Sequence, residues 1–183
     1  MKLLIASDIH GSALYCRKLL DLLAQEKADR LLLLGDLLYH GARGDLSPGY
    51  DTRAVTAMLN AVEVPVFSVR GNCDSDIDQT VLQFPILADF LLLLQGRHTV
   101  FATHGHIYTP DSHPRLLPGD VFLSGHIHVP VCEMRDGITV VNPGSVSMPK
   151  DGSPHSCMTL EDGLFRWFDL DRGTDYQTFQ MEA

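Results

Sequence analysis

The 183-residue sequence predicts a mixed α/β fold, a two-sheet sandwich flanked by helices of the α/β class. Two patterns carry this expectation. Over the first 70 residues, short apolar runs (KLLIAS, RLLLL, VFSV) alternate with segments of helical apolar spacing. Beyond residue 85 the chain changes to short strand-like runs separated by Gly-containing turns at Gln95-Gly96, Asp136-Gly137 and Asp162-Gly163. No Ser/Gly linker, repeat or low-complexity tract divides it, so residues 1–183 read as one domain.

In order along the chain, residues 2–7 form a short buried strand. Ser12 caps a helix over roughly 13–26, where Leu19, Leu20, Leu22 and Leu23 recur at helical spacing. Residues 30–34 form a second strand, and the Gly- and Pro-rich stretch 39–50 is irregular. Asp51 caps a helix over 52–62, and 66–69 is a third strand. Such alternation implies a parallel sheet covered on both faces. Further strands are expected at 86–94, 98–103, 120–124, 138–141, 157–160 and 164–170, with one short helix near 112–117. Their hairpin spacing places them in a second, more antiparallel sheet packed on the first.

Composition removes several function classes. A net charge of −9 weakens any case for nucleic-acid binding, which needs a basic face. The apolar runs at 31–34 and 90–94 are far too short to cross a membrane. Four dispersed cysteines without a CxxC pair make no disulfide framework, and the N-terminus is a poor signal peptide. The expectation is a soluble cytoplasmic protein, with apolar positions in the second sheet that permit a homo-oligomer.

The chemistry lies in a scattered set of polar residues, each following an apolar run. They are Asp8-Ile9-His10, Gly35-Asp36, Gly71-Asn72-Cys73-Asp74, Thr103-His104-Gly105-His106 and Gly125-His126-Ile127-His128. In open α/β sheets, ligands collect outside the carboxyl ends of the strands. Five such ends would bring carboxylate, amide and imidazole donors to one rim, too many for one cation and about right for two. These donors suit Mn, Fe, Zn, Co or Ni better than calcium.

The ordered blocks DxH, GD, GN, H and GHxH resemble the calcineurin-like metallophosphoesterase superfamily. The short chain, the GNCD block and Asn142-Pro143-Gly144-Ser145 are similar to its small YfcE-type phosphodiesterase branch. The resemblance implies that Asp8, His10 and His128 hold one metal ion, that Asn72, His104 and His126 hold the other, and that Asp36 bridges both. It implies a small phosphodiester as substrate, attacked by a metal-bridging hydroxide, with manganese the expected ion. Two carboxylates and a hydroxide against two divalent ions leave about one net positive charge, so an acidic protein can still hold an anion there. A phosphomonoesterase or protein phosphatase is the nearest alternative, and a Vps29-like interaction scaffold is the alternative of another class.

The sequence departs from the family pattern at Cys73, where many members carry a histidine thought to protonate the leaving alcohol. A thiol matches that task poorly, which favours diesters with an acidic alcohol. The other reading of Cys73 is a small buried filler, and what Asp74 would orient is open. His106 is a candidate phosphate donor or a packing residue. His40 and Arg43, in the loop after Asp36, are candidate substrate contacts, Arg43 because a guanidinium fork suits phosphate oxygens. The Asn142–Ser145 turn reads as scaffolding.

Overall fold

The computed structural model describes residues 1–39, 41 and 45–182. Its first sheet begins with β1 (Lys2–Ala6), β2 (Arg30–Leu33) and β3 (Val66–Ser68), paired in parallel. Between them run α1 (Ala13–Gln25) and α2 (Thr52–Asn60). Both helices start where the sequence places their caps. The Ser12 hydroxyl accepts from the Tyr15 N–H, and the Asp51 carboxylate accepts from the Ala54 N–H. A third helix, α3 (Asp76–Val81), follows β3.

The second sheet holds β4 (Phe90–Gln95), β5 (His98–Thr103), β6 (Val121–Leu123), β7 (Pro130–Arg135) and β8 (Ile138–Pro143), in the order β4-β5-β6-β8-β7. The chain then returns to the first sheet with β9 (Ser156–Glu161), β10 (Leu164–Asp169) and β11 (Thr174–Gln180), giving the order β11-β10-β9-β1-β2-β3. The segments at 157–160 and 164–170 thus do not join the second sheet as expected. The reason is burial on two sides: β9 pairs antiparallel with β1, sending Met158 and Leu160 between the sheets and Cys157 toward the helices.

Layering explains why β1 and β2 read as unbroken apolar runs. Leu4, Leu31 and Leu33 pack with Leu19, Leu22 and Val55 of the helices, whereas Leu3, Ile5 and Leu32 pack between the sheets with Val100, Val121, Leu123 and Trp167. A third cluster, Phe101, Phe122, Ile138 and Val140, lies on the outer face of the second sheet under Tyr108 and Leu116.

No helix forms near 112–117. Pro114 and Pro118 punctuate that stretch, and an extended bridge joins Thr109 to Ser112 instead. Conversely, α3, β7 and β11 carry no strong apolar period, and each lies at an edge or on the surface. Among the described residues, no helix is long and apolar enough to cross a membrane.

Candidate metal centre

The carboxyl ends of β1, β2, β3, β5 and β6 meet at one rim, and the loops leaving them interlock. The Asp8 N–H donates to the Gly35 carbonyl (3.1 Å), and the His10 N–H to the Asp36 carbonyl (2.9 Å). Gly71 has to be glycine because a Cβ there would overlap the Asp36 carboxylate; a Cβ on Gly35, at φ +94°, would run into the Gly71 backbone. Asp8, His10, Asp36, His126 and His128 all have positive φ, between 46° and 70°. Left-handed backbone costs on the order of 1–3 kcal/mol per non-Gly residue and persists only where the surroundings over-determine it. Five such residues at one rim mark a site built for geometry rather than stability.

Three histidines are held in one tautomer from behind. Nδ1 of His10 faces the Tyr39 carbonyl (2.9 Å), Nδ1 of His104 the Leu34 carbonyl (2.6 Å), and Nδ1 of His128 the Met148 carbonyl (2.6 Å). A carbonyl only accepts, so each Nδ1 carries the proton and each Nε2 presents a lone pair to the centre. Those lone pairs converge on other acceptors. His10 Nε2 lies 3.3 Å from His128 Nε2, and Asp8 Oδ1 lies 3.5 Å and 3.2 Å from the two. His104 Nε2 lies 3.0 Å from Asn72 Oδ1 and 3.2 Å from His126 Nδ1.

Asp36 Oδ2 stands between the groups, 3.6 Å from His10 Nε2 and 3.5 Å from His104 Nε2. Its other oxygen, Oδ1, accepts from the Cys73 N–H (2.8 Å), which fixes the carboxylate. Asp8 Oδ1 is fully buried without a hydrogen-bond donor among the described residues. Burial opposes its charge, yet without metal the Nε2 atoms of His10 and His128 can take up protons and donate to it, and so hold its carboxyl well below the usual carboxylate range. Burial likewise opposes charge on His10, and the Asp8 carboxylate outweighs it and raises the imidazole pKa. Converging lone pairs and an orphaned buried carboxylate oxygen fit divalent cations.

A description of the calcineurin-like phosphoesterase superfamily domain matches residues 1–162. The chain belongs to this superfamily. Phosphodiesterase YfcE of Escherichia coli (strain K12) is 47% identical over 164 residues, 90% of this chain and 89% of that protein. The probable metallophosphoesterase YsnB of Bacillus subtilis (strain 168) is 29% identical over 170 residues, 88% of this chain and 85% of that protein. The solved structure of Yfce, a phosphoesterase from E. coli, matches with a TM-score of 0.94 at 42% identity, covering 100% of both chains. Vps29 from Entamoeba histolytica, complexed with zinc, shares the fold with a TM-score of 0.62 at 22% identity, over 98% of each chain.

Around this superfamily centre, the other residues singled out in the sequence take different places. Asp74 is buried, and its carboxylate accepts from the N–H groups of Asp36 (2.8 Å), Leu37 (2.9 Å) and Gly71 (2.7 Å). It therefore ties the GD turn to the GN turn and orients backbone rather than the Cys73 thiol. Burial raises its pKa, partly offset by these amides. Cys73 is half-buried and lines the cleft, which corrects the reading of it as a buried filler. Its Sγ accepts from Asn72 Nδ2 (3.3 Å). Burial, with Asp36 beside it, pushes this thiol up to about 12.

His106 packs edge-on against His104, with ring centroids 5.3 Å apart, and lines an adjoining cavity rather than the main cleft. Burial and the neighbouring His104 and His126 lower its pKa; burial and His104 do the same for His126. His40 and Arg43 lie outside the described residues.

Some supporting groups carried no sequence signal, whereas the Asn142–Ser145 turn was read as scaffolding. The carbonyls of Leu34, Tyr39 and Met148 belong to the backbone and are independent of residue type. Ser145 and Ser147 both donate through Oγ to the Asp8 carbonyl (3.0 and 3.1 Å), which makes the Asn142–Ser145 turn a buttress for Asp8. Lys150, six residues beyond Gly144, lines the cleft with Tyr39, Cys73, Ser75 and Met148.

Proposed function

We propose that the chain is a metal-dependent phosphodiesterase that holds two divalent ions and hydrolyses small phosphodiesters. The supporting observation is Asp36 Oδ2, about equally far from His10 Nε2 and His104 Nε2, between two convergent donor sets. In this reading Asp8, His10 and His128 hold one ion, Asn72, His104 and His126 hold the other, and Asp36 serves both. The donors come from strand ends of both sheets, so the sheets act as one domain. Manganese is the expected ion, and the same donors accept zinc, iron, nickel or cobalt.

The ions would supply a water of lowered pKa and positive charge for the phosphoryl oxygens. Hydrolysis puts a water oxygen on phosphorus, breaks one ester P–O bond and releases an alcohol and a phosphomonoester. The chain's own groups position and screen. The carbonyl-held imidazoles keep their lone pairs inward, and Asp74 fixes the Asp36 and Asn72 turns against each other. Lys150 offers a cation at the cleft, the task the sequence reading gave to Arg43. Cys73 holds its proton too tightly to match a general acid at neutral pH. That favours esters whose alcohol leaves without help, and so diesters with an acidic alcohol.

The test is hydrolysis of bis(4-nitrophenyl) phosphate and 4-nitrophenyl phosphate, side by side, by metal-stripped protein titrated with manganese. Metal-dependent release from the diester well above the monoester is expected. A monoester preference would move the assignment to a phosphatase. Metal binding without turnover of either ester would replace the enzyme by a Vps29-like scaffold.

A further inference from the structure

Beside the metal cleft lies a second cavity of about 460 Å³, walled by Leu38, Tyr39, Tyr50, Ile77 and Val81, with Arg53 among its lining residues. It shares Tyr39, Cys73 and Ser75 with the cleft of about 750 Å³ that holds His10, Asp36 and Asn72. The two spaces therefore adjoin at Tyr39, Cys73 and Ser75, and the smaller one is within the usual range of small-ligand pockets, roughly 300–1,000 Å³.

One wall of this cavity is α3, a six-residue helix that buries none of its residues in the core. Polar bonds tie both its ends. Ser75 and Asp78 form a capping box at its start. At its end Asn60 Nδ2 donates to the Val81 carbonyl (2.8 Å), while Asn60 Oδ1 accepts from the Gln83 N–H (2.9 Å). Gln79 Nε2 donates to the Phe84 carbonyl (3.0 Å). The helix is thus anchored without Ile77 and Val81, yet these two apolar side chains stand 76% and 47% exposed. Exposed apolar groups facing two tyrosines, next to the reacting centre, describe a slot for a flat hydrophobic group.

We propose that this cavity is a subsite for a planar aromatic ring carried on one ester group of the substrate, with Ile77 and Val81 as specificity-determining residues. The proposal deepens the phosphodiesterase reading and rests on it. The ring is either a simple aryl group or the base of a nucleoside ester, and these differ in reach from phosphorus.

The experiment is calorimetric titration of the manganese-loaded protein with two matched pairs, phenylphosphonate against methylphosphonate and adenosine 5′-phosphate against ribose 5-phosphate. Each pair shares its anion and differs by a ring, and aromatic burial in such a slot is expected to tighten binding on the order of tenfold. A gain in the first pair alone identifies an aryl ester; a gain in the second identifies a nucleoside ester. Ile77→Asp should abolish the gain while methylphosphonate still binds, and Ile77→Leu should keep it. Equal affinities within both pairs, or a gain that survives both Ile77→Asp and Val81→Asp, would overturn the subsite. Because binding is read directly, a ring preference without any diester turnover would count against the phosphodiesterase reading and not against the slot.

Discussion

The two donor groups at the rim differ in enclosure and charge. Asp8, His10 and His128 are all buried, all in left-handed backbone, and one of them is a carboxylate. Of Asn72, His104 and His126, only His104 is buried; Asn72 is exposed, His126 is half-buried, and only His126 has positive φ. Apart from the shared Asp36, the second group offers neutral donors. A buried carboxylate draws a cation more strongly than an amide oxygen in contact with water. Under the two-ion proposal the enclosed group is expected to hold its ion tightly and the open group to exchange, although the main cleft reaches both, through His10 and His128 on one side and Asn72 and His126 on the other.

The sharpest way to break this comparison is to remove what the groups share. Asp36→Ala should abolish retention of both ions, measured as bound metal per chain, and lower diester turnover by roughly 10³-fold or more. Full retention of either ion would show that Asp36 serves only one group. His126→Ala should be milder, leaving about one ion per chain and lowering turnover by roughly 10²-fold. In the unaltered protein a chelator should strip the metal in two steps, with the open group emptied first. A single step would erase the proposed difference. Asp74→Asn should follow, because an amide replaces one of the two acceptor oxygens that three backbone N–H groups share. It is expected to cost about 1–3 kcal/mol in unfolding free energy and roughly 10- to 100-fold in metal affinity.

How much of this was legible in the sequence follows the same division between buried and exposed. β1 and β2 announce themselves because both their faces are covered, and the donors announce themselves by following such strands. Ser12 and Asp51 are legible as caps because an N-terminal turn needs a side-chain acceptor. β7 and β11 are not, since an edge strand such as TDYQTFQ needs no apolar alternation. The return of β9 to the first sheet was illegible because MTL would fit a core-facing strand in either sheet. Asp74 stood in plain view in the GNCD block, yet two of its three backbone partners, the amides of Asp36 and Leu37, lie far along the chain. The slot behind Cys73 depends on where α3 docks, which no local pattern reports.

Cys73 offers the smallest effect and sharpens the comparison at the open group's edge. Its thiol is pushed up to about 12 from the ordinary thiol value near 9, first by burial and then by Asp36. Below pH 9, a thiol raised this far holds about 10³-fold less thiolate than the unfolded chain, and the thiolate is the reactive form. Metal-free native protein should therefore resist iodoacetamide at pH 8, read at Cys73 by peptide mass spectrometry, although this side chain lines an open cleft. The stability linkage has a definite sign. Between pH 9 and 12 the unfolded chain loses this proton while the native state keeps it, so unfolding is favoured increasingly as pH rises through that window. Cys73→Ser should reduce the steepness of that part of the stability curve, to which the buried thiols of Cys16 and Cys157 also contribute, and leave the acid side unchanged. Rapid alkylation of native Cys73 at pH 8 would mean that the thiolate is stabilised there, and the case against its acting as a general acid near neutral pH would fall with it.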